Sequence, residues 1–256
     1  MRIQFASDLH LEFPENREFL RVHPLEEKGN ILVLAGDILY LGNPKMSAFP
    51  FLDWCSEHFS QTLIVPGNHE YYGGFDIAET LHDYELPLRH NVRVLNNRSW
   101  RAGDGVELFF TTMWPRYSTV QMLNAQTLMN DYVRSVYKGA KFSAFDVNGI
   151  HALCEEWLAG ALHRSDAGTK IVVTHHCPVV SPDKERYLGR AASPCYLTDL
   201  SRFIEASRPD YWIHGHCHAV PSEGIAVCDT RIYSNPMGYV FAEEQERFKT
   251  GLTIDV

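Results

Sequence analysis

Five short apolar runs in this chain each end in a cluster of polar residues, and that pattern constrains the fold more than any other. Residues 3–7 run into Asp8-Leu9-His10, residues 31–36 into Asp37, and residues 62–67 into Asn68-His69-Glu70. Residues 170–174 run into His175-His176, and residues 211–213 lead to His214-Gly215-His216-Cys217-His218. Runs of this length, rich in Ile and Val, have the composition of buried strands. Between them, residues 46–59, 75–86, 146–163 and 196–206 read as helices. The clearest is 146–163, where Val147, Ile150, Leu153, Cys154, Trp157, Leu158 and Leu162 share one face. Strand alternating with helix predicts an α/β architecture.

Two regions break the alternation. Residues 92–112 read as a pair of strands around Gly103-Asp104-Gly105, a hairpin signal, and residues 225–256 as several more short strands. Antiparallel strands beside a parallel core predict mixed sheets. Residues 121–137 have partial helical periodicity, while 113–117 and 179–194 read as loop. With no internal repeat, low-complexity stretch or linker, the expectation is one domain over residues 1–256.

The position of the polar clusters points to function. In open α/β sheets, ligand sites gather at the carboxyl ends of strands. Any single cluster is explained by ordinary turn chemistry. Five strand ends that all carry Asp, His or Asn call for a common cause. Mixed carboxylate, imidazole and amide donors suit divalent Mn, Fe or Zn, whereas a structural zinc site would draw on thiolates. Eight candidate ligands exceed the need of one ion, so two ions sharing a carboxylate are the economical arrangement. Gly36, Gly67 and Gly215 at the same ends would let the backbone turn tightly.

Composition narrows the partners. Lys and Arg total 23 against 32 Asp and Glu, a formal net charge of −9. That argues against gripping nucleic acid by general charge, but not against a small phosphate-bearing substrate, since bound metal supplies positive charge locally. Six cysteines without a Cys-x-x-Cys pair read as buried reduced thiols. Asp8 interrupts the first apolar stretch before a signal peptide could form, and no apolar run approaches the ~20 residues of a membrane span. The expectation is a cytoplasmic protein without a membrane segment; oligomeric state is not readable.

The ordered set Asp8-x-His10, Gly36-Asp37, Gly67-Asn68-His69-Glu70, Thr174-His175-His176 and Gly215-His216-x-His218 resembles the calcineurin-like metallophosphoesterases. The resemblance implies a four-layer α/β/β/α sandwich with two mixed sheets and a dinuclear metal site at the strand ends. It implies that Asp8, His10 and His218 hold one ion, that Asn68, His175 and His216 hold the other, and that Asp37 bridges both. Manganese is the first expectation for both ions, with iron, zinc or nickel as alternatives. Either His175 or His176 could be the family ligand. His175, directly after the strand, is preferred, and His176 then either faces substrate or is a hydrogen-bonded loop residue. By the same resemblance His69 points at the substrate and assists the leaving group, with Asp8 able to orient it, and Asn68 helps to offset phosphoryl charge. Glu70 serves the turn or stands behind the ligands, where it bears on their geometry.

Asp37-x-x-Tyr40 resembles the purple acid phosphatase arrangement, in which a Tyr is a ligand, but His10 fills that place, which leaves Tyr40 to packing or to a position behind the ligands. Cys177 and Cys217 are not expected to be ligands. Arg186 and Arg190 could reach a phosphate, and Trp114, Arg116 and Tyr117 could stack on a base; surface charge and packing are their ordinary readings. Asn235-Pro236 sits at a further strand end and could close the site. The implied function is hydrolysis of a small phosphoester, a monoester or diester with nucleotides among the candidates. The alternative is a non-catalytic metal-binding or scaffold protein on the same fold.

Overall fold

The strands nearest the polar clusters bury both faces. In the computed structural model, which describes residues 1–43, 49–103, 105–179, 198–218 and 224–256, β1 (Arg2–Ala6) is buried beyond its first residue and β2 (Ile31–Leu34) throughout. Between them runs α1 (Pro14–Val22). After β2 come α2 (Pro50–His58), β3 (Gln61–Ile64), β4 (Tyr84–Arg89), β5 (Val92–Asn96), β6 (Arg98–Arg101) and β7 (Val106–Thr111). Then follow α3 (Thr119–Leu128), α4 (Asp131–Arg134), the small hairpin β8 (Val136–Tyr137) and β9 (Ala140–Lys141), and α5 (Val147–Arg164). The chain continues through β10 (Thr169–Thr174), α6 (Ser201–Ser207), β11 (Tyr211–His214), β12 (Ile225–Val227), β13 (Thr230–Ser234) and β14 (Thr253–Asp255).

These strands form two six-stranded sheets, ordered β14-β1-β2-β3-β5-β4 and β12-β13-β11-β10-β7-β6. In each, four central strands are parallel and both edge strands are antiparallel. Strand alternation divides the core. Ile31, Val33, Leu63, Leu108, Phe110, Ile171, Val173 and Ile213 meet between the sheets. Leu32, Leu34, Phe109, Val172 and Trp212 point the other way, into a cluster shared with the helices. α2 contacts β3, β4 and β5, whereas α5 contacts β7 and α6 contacts β12. The result is the predicted four-layer α/β/β/α arrangement with two mixed sheets. No helix of the described residues is long and apolar enough to cross a membrane.

Several local expectations are corrected. Residues 75–86 are not a helix. Only Ile77–Thr80 makes a short 3-10 turn, capped by the Asp76 side chain accepting the Ala78 N–H, and the chain then enters β4. Pairing with β5 overrides the apolar spacing there, and Pro87 sits on an edge strand that can spare its missing N–H. Residues 92–112 hold three strands rather than two. β6 and β7 are the expected hairpin, but β5 belongs to the other sheet, and Asn97 (φ 46°) makes the turn between sheets.

Helix ends shift as well. α2 opens at Pro50, whose fixed φ and absent donor suit a first helical position. α6 opens at Ser201, where Asp199 accepts the Ser201 N–H. Residues 121–137 resolve into α3, started by a Ser118–Gln121 capping box, then α4 and β8. In α5, Leu153 is exposed, and His151 takes a buried place with Nδ1 on the Trp114 carbonyl, 2.6 Å away. Cys55, Cys154, Cys177 and Cys217 are buried free thiols, but Cys228 is exposed.

Candidate metal centre

Because the central strands of each sheet are parallel, β1, β2, β3, β10 and β11 deliver their carboxyl ends to one side of the molecule. The loops there are zipped together by backbone bonds: Asp8 N to Gly36 O at 2.9 Å, His10 N to Asp37 O at 2.9 Å, and Gly215 N to His175 O at 3.0 Å. Asp8 (φ 54°), His10 (46°), Asp37 (56°) and His216 (65°) all lie in the left-handed region. A histidine there is strained, and such strain persists where the surroundings hold a functional geometry.

The side chains meet in overlapping groups. Asp8, His10 and His218 form one set of potential ligands, Asp37, His175 and His216 a second, and His10, Asp37 and His69 a third. Asp37 is common to the last two: its Oδ1 lies 3.4 Å from His175 Nε2 and its Oδ2 lies 3.8 Å from His10 Nε2. Asn68 Oδ1 lies 3.0 Å from His175 Nε2 and 3.1 Å from His216 Nδ1. His218 Nε2 lies 3.2 Å from Asp8 Oδ1 and 3.3 Å from His10 Nε2. The seven residues singled out as ligands in the sequence therefore converge.

Partners behind these rings fix their orientation. His175 Nδ1 donates to the Ala35 carbonyl at 2.9 Å, and His218 Nδ1 to Glu244 Oε2 at 2.5 Å, so each turns Nε2 inward. His10 Nδ1 donates to Glu12 Oε1 at 3.1 Å. Asn68 is held by its amide nitrogen, which donates to Asp131 Oδ1 at 2.8 Å and to the Tyr72 hydroxyl at 3.0 Å. That fixes the amide with its oxygen toward the histidines. Backing a ligand with an outer hydrogen bond is the common design of metal sites.

Electrostatics agree with a cation site. Burial alone would raise Asp37, but His175, His69 and His10 hold it well below the usual carboxylate range. Burial opposes charge on His218, yet Asp8 and Glu244 outweigh it and lift it to about 10. Burial likewise opposes charge on His175, which Asp37 and Asp8 lift to about 9. Without metal, protons on these rings neutralise the carboxylates. The borderline nitrogen and oxygen donors, gathered around two buried carboxylates, fit divalent metal.

Glu70 does the turn work expected of it. Its buried carboxylate accepts the N–H groups of Asp37 (2.8 Å), Ile38 (2.7 Å), Leu39 (3.2 Å) and Gly67 (2.6 Å), locking two loops together. Burial, with Asp37 nearby, raises it to about 7 despite these donors. Both glycines leave room for site side chains. A Cβ at Gly36, which also takes a positive φ (86°), would overlap the His175 ring, and a Cβ at Gly67 would overlap the Asp37 carboxylate.

His69 is oriented by Glu12, not by Asp8. Its Nδ1 donates to Glu12 Oε1 at 2.7 Å and its Nε2 lies 3.2 Å from the Tyr239 hydroxyl. Asp8 is instead occupied by the His216 N–H at 3.0 Å and by His218. Burial works against charge on His69, but Asp37 and Glu12 outweigh it and raise its pKa.

The remaining candidates fall as follows. His176 is buried, with Nδ1 on the Thr112 carbonyl at 3.2 Å and its ring 4.4 Å from that of His216. Trp114 and Tyr117 are core residues with no face for a base, and Arg116 is exposed. Tyr40 is half-buried, and its hydroxyl accepts from Arg134 at 3.2 Å. Asn235 ties the sheets together: its carbonyl accepts from Ser7 N, and its amide donates to Phe5 O. Arg186 and Arg190 lie outside the described residues.

Comparison with known proteins places this geometry. The family model described as calcineurin-like phosphoesterase matches residues 1–220. Uncharacterized protein L509 of Acanthamoeba polyphaga mimivirus is 26% identical over 289 residues, an alignment covering 100% of this chain and 97% of that one. Among solved structures, phosphopantetheinyl hydrolase (PptH) from Mycobacterium tuberculosis has a TM-score of 0.65 at 15% identity, over 97% of this chain and 93% of that one. TT1561 of Thermus thermophilus has a TM-score of 0.51 at 12% identity, over 92% and 88%. Likeness at such identity is likeness of fold.

Proposed function

The chain belongs to the calcineurin-like phosphoesterase family, and on that premise we propose that it is a metal-dependent hydrolase of a small phosphoester. The observation that carries this reading is Asp37, whose two carboxylate oxygens face histidines from different ligand groups. In this reading Asp8, His10, His218 and Asp37 hold one divalent ion, and Asn68, His175, His216 and Asp37 hold the other. Manganese is the first expectation, and the same donors also accept iron, zinc or nickel. Two ions there would supply hydroxide near neutral pH and positive charge against the phosphoryl oxygens.

The chain's own residues do the rest. Glu12 fixes His69 by its Nδ1–H, which leaves Nε2 to serve the leaving oxygen. Glu12, by accepting the Nδ1–H, orients the ring so that a proton on Nε2 faces the leaving oxygen, as a general acid requires. The amide clamp on Asn68 keeps its oxygen on the ligand side. Glu70 holds the loop of Asp37 against the loop of Asn68.

The test is hydrolysis of p-nitrophenyl phosphate and bis-p-nitrophenyl phosphate by manganese-loaded protein. Turnover should need metal. His69→Ala should lower kcat by about a hundredfold or more on esters with poor leaving groups, the usual range for a lost general acid. Metal bound without turnover across a broad ester panel would favour the scaffold alternative.

A further inference from the structure

We propose that Tyr239, Phe241 and Phe13 form the leaving-group subsite of this centre, and that it takes esters whose leaving group carries an aromatic or heteroaromatic ring. The inference rests on the phosphoester reading above. With His69 Nδ1 committed to Glu12, only Nε2 can meet a leaving oxygen, and Nε2 lies 3.2 Å from the Tyr239 hydroxyl. A leaving oxygen at that nitrogen lies beside the Tyr239 hydroxyl, and its substituent can run out along the side chains that continue from this residue to solvent.

Those side chains are aromatic. The Tyr239 ring lies 4.5 Å from the His10 ring on the metal side. It is nearly parallel to Phe241, 5.2 Å away at 20°. Phe13 stands edge-on to both, 5.7 Å from each. Phe241 is 61% exposed, so the wall runs from the proton donor to solvent. The segment is anchored to the centre itself. Gly238 N donates to Asp8 O at 3.0 Å, and Glu244 Oε2 accepts from both Tyr239 N (2.9 Å) and His218 Nδ1 (2.5 Å). Tyr239 and Phe241 lie beyond residue 220, where the family match ends, and Phe13 lies within it. Stacking on an exposed ring is strong enough to select substrates yet tolerant of ring type.

The experiment compares manganese-loaded wild type, Phe241→Ala and Phe241→Leu in two ways. The first is the ratio of kcat/KM for phenyl phosphate over hexafluoroisopropyl phosphate, whose leaving groups are of similar acidity. The second is calorimetric binding of phenylphosphonate against methylphosphonate, which needs no turnover. Wild type should favour the aryl member of each pair by about tenfold. Phe241→Ala should abolish both preferences through KM and Kd. Phe241→Leu, which keeps apolar bulk at an exposed position, should lose most of each preference. Tyr239→Phe should keep them, since the ring remains. A wild type without aryl preference, or variants that retain it, overturns the subsite. An aryl binding preference lost in Phe241→Ala, with no ester hydrolysed by any form, sustains the subsite and overturns the hydrolase reading instead.

Discussion

At the scale of single residues, the centre divides into the proposed ligands and the groups that aim them. The convergence of the proposed ligands was legible because each follows a strand in a short polar cluster. The aiming groups were not. Glu12 stands only two residues past His10, but nothing in its loop marks it. Asp131, Tyr239 and Glu244 come from stretches without clear periodicity and reach the site only through the tertiary fold. Asp131 also bears on the least placeable part of the sequence, because it opens α4 and accepts from the Asn68 amide. Asp131→Ala removes the shorter of the two bonds that hold the Asn68 amide nitrogen and leaves it the Tyr72 hydroxyl alone, which weakens the hold on the amide's orientation. Metal affinity at the His175–His216 position should then fall by about 10- to 100-fold, the usual cost of losing an outer partner. Competitive metal titration with a chelating dye would measure it; unchanged affinity for both ions would contradict the clamp.

At the scale of elements, parallel strand ends do the gathering. The strands and α5 were readable because burial on both faces demands apolar runs and one long helix face. Residues 75–86 misled because an edge strand with intermediate burial can carry helix-like spacing, and only its pairing with β5 decides. Sheet membership was equally hidden, since a single residue, Asn97, sends β5 and β6 to different sheets. The loops after β2 and β3 touch closely enough to predict a severe small change. Gly67→Ala puts a methyl group onto the Asp37 carboxylate and within 2.7 Å of the Asp37 nitrogen. Overpacking of this kind costs about 1–3 kcal/mol. Thermal melts should show the loss in metal-free protein, and metal content should fall as well, because the displaced group is Asp37 itself.

At the scale of the molecule, an acidic chain gathers its candidate metal ligands at one end of its two sheets. The four-layer arrangement was expected from the family resemblance, while composition alone allowed only an α/β protein of this size. The site's charge balance makes a prediction about pH. His175 at about 9 and His218 at about 10 are protonated at neutral pH when no metal is bound. Metal must displace those protons, so binding releases them, and apparent affinity rises with pH until these groups deprotonate unaided. Calorimetry at pH 7 in two buffers of different ionisation heat should report release of about two protons per loaded chain, and no release would contradict the assignment.

The most direct test of the central claim is a manganese titration of metal-free protein, followed by p-nitrophenol release from bis-p-nitrophenyl phosphate, in wild type and Asp37→Asn. Activity should climb to a plateau at two ions per chain in wild type and stay near background in the variant. Full activity in Asp37→Asn, or no activity in wild type with two ions bound, would contradict a hydrolytic centre built on that carboxylate.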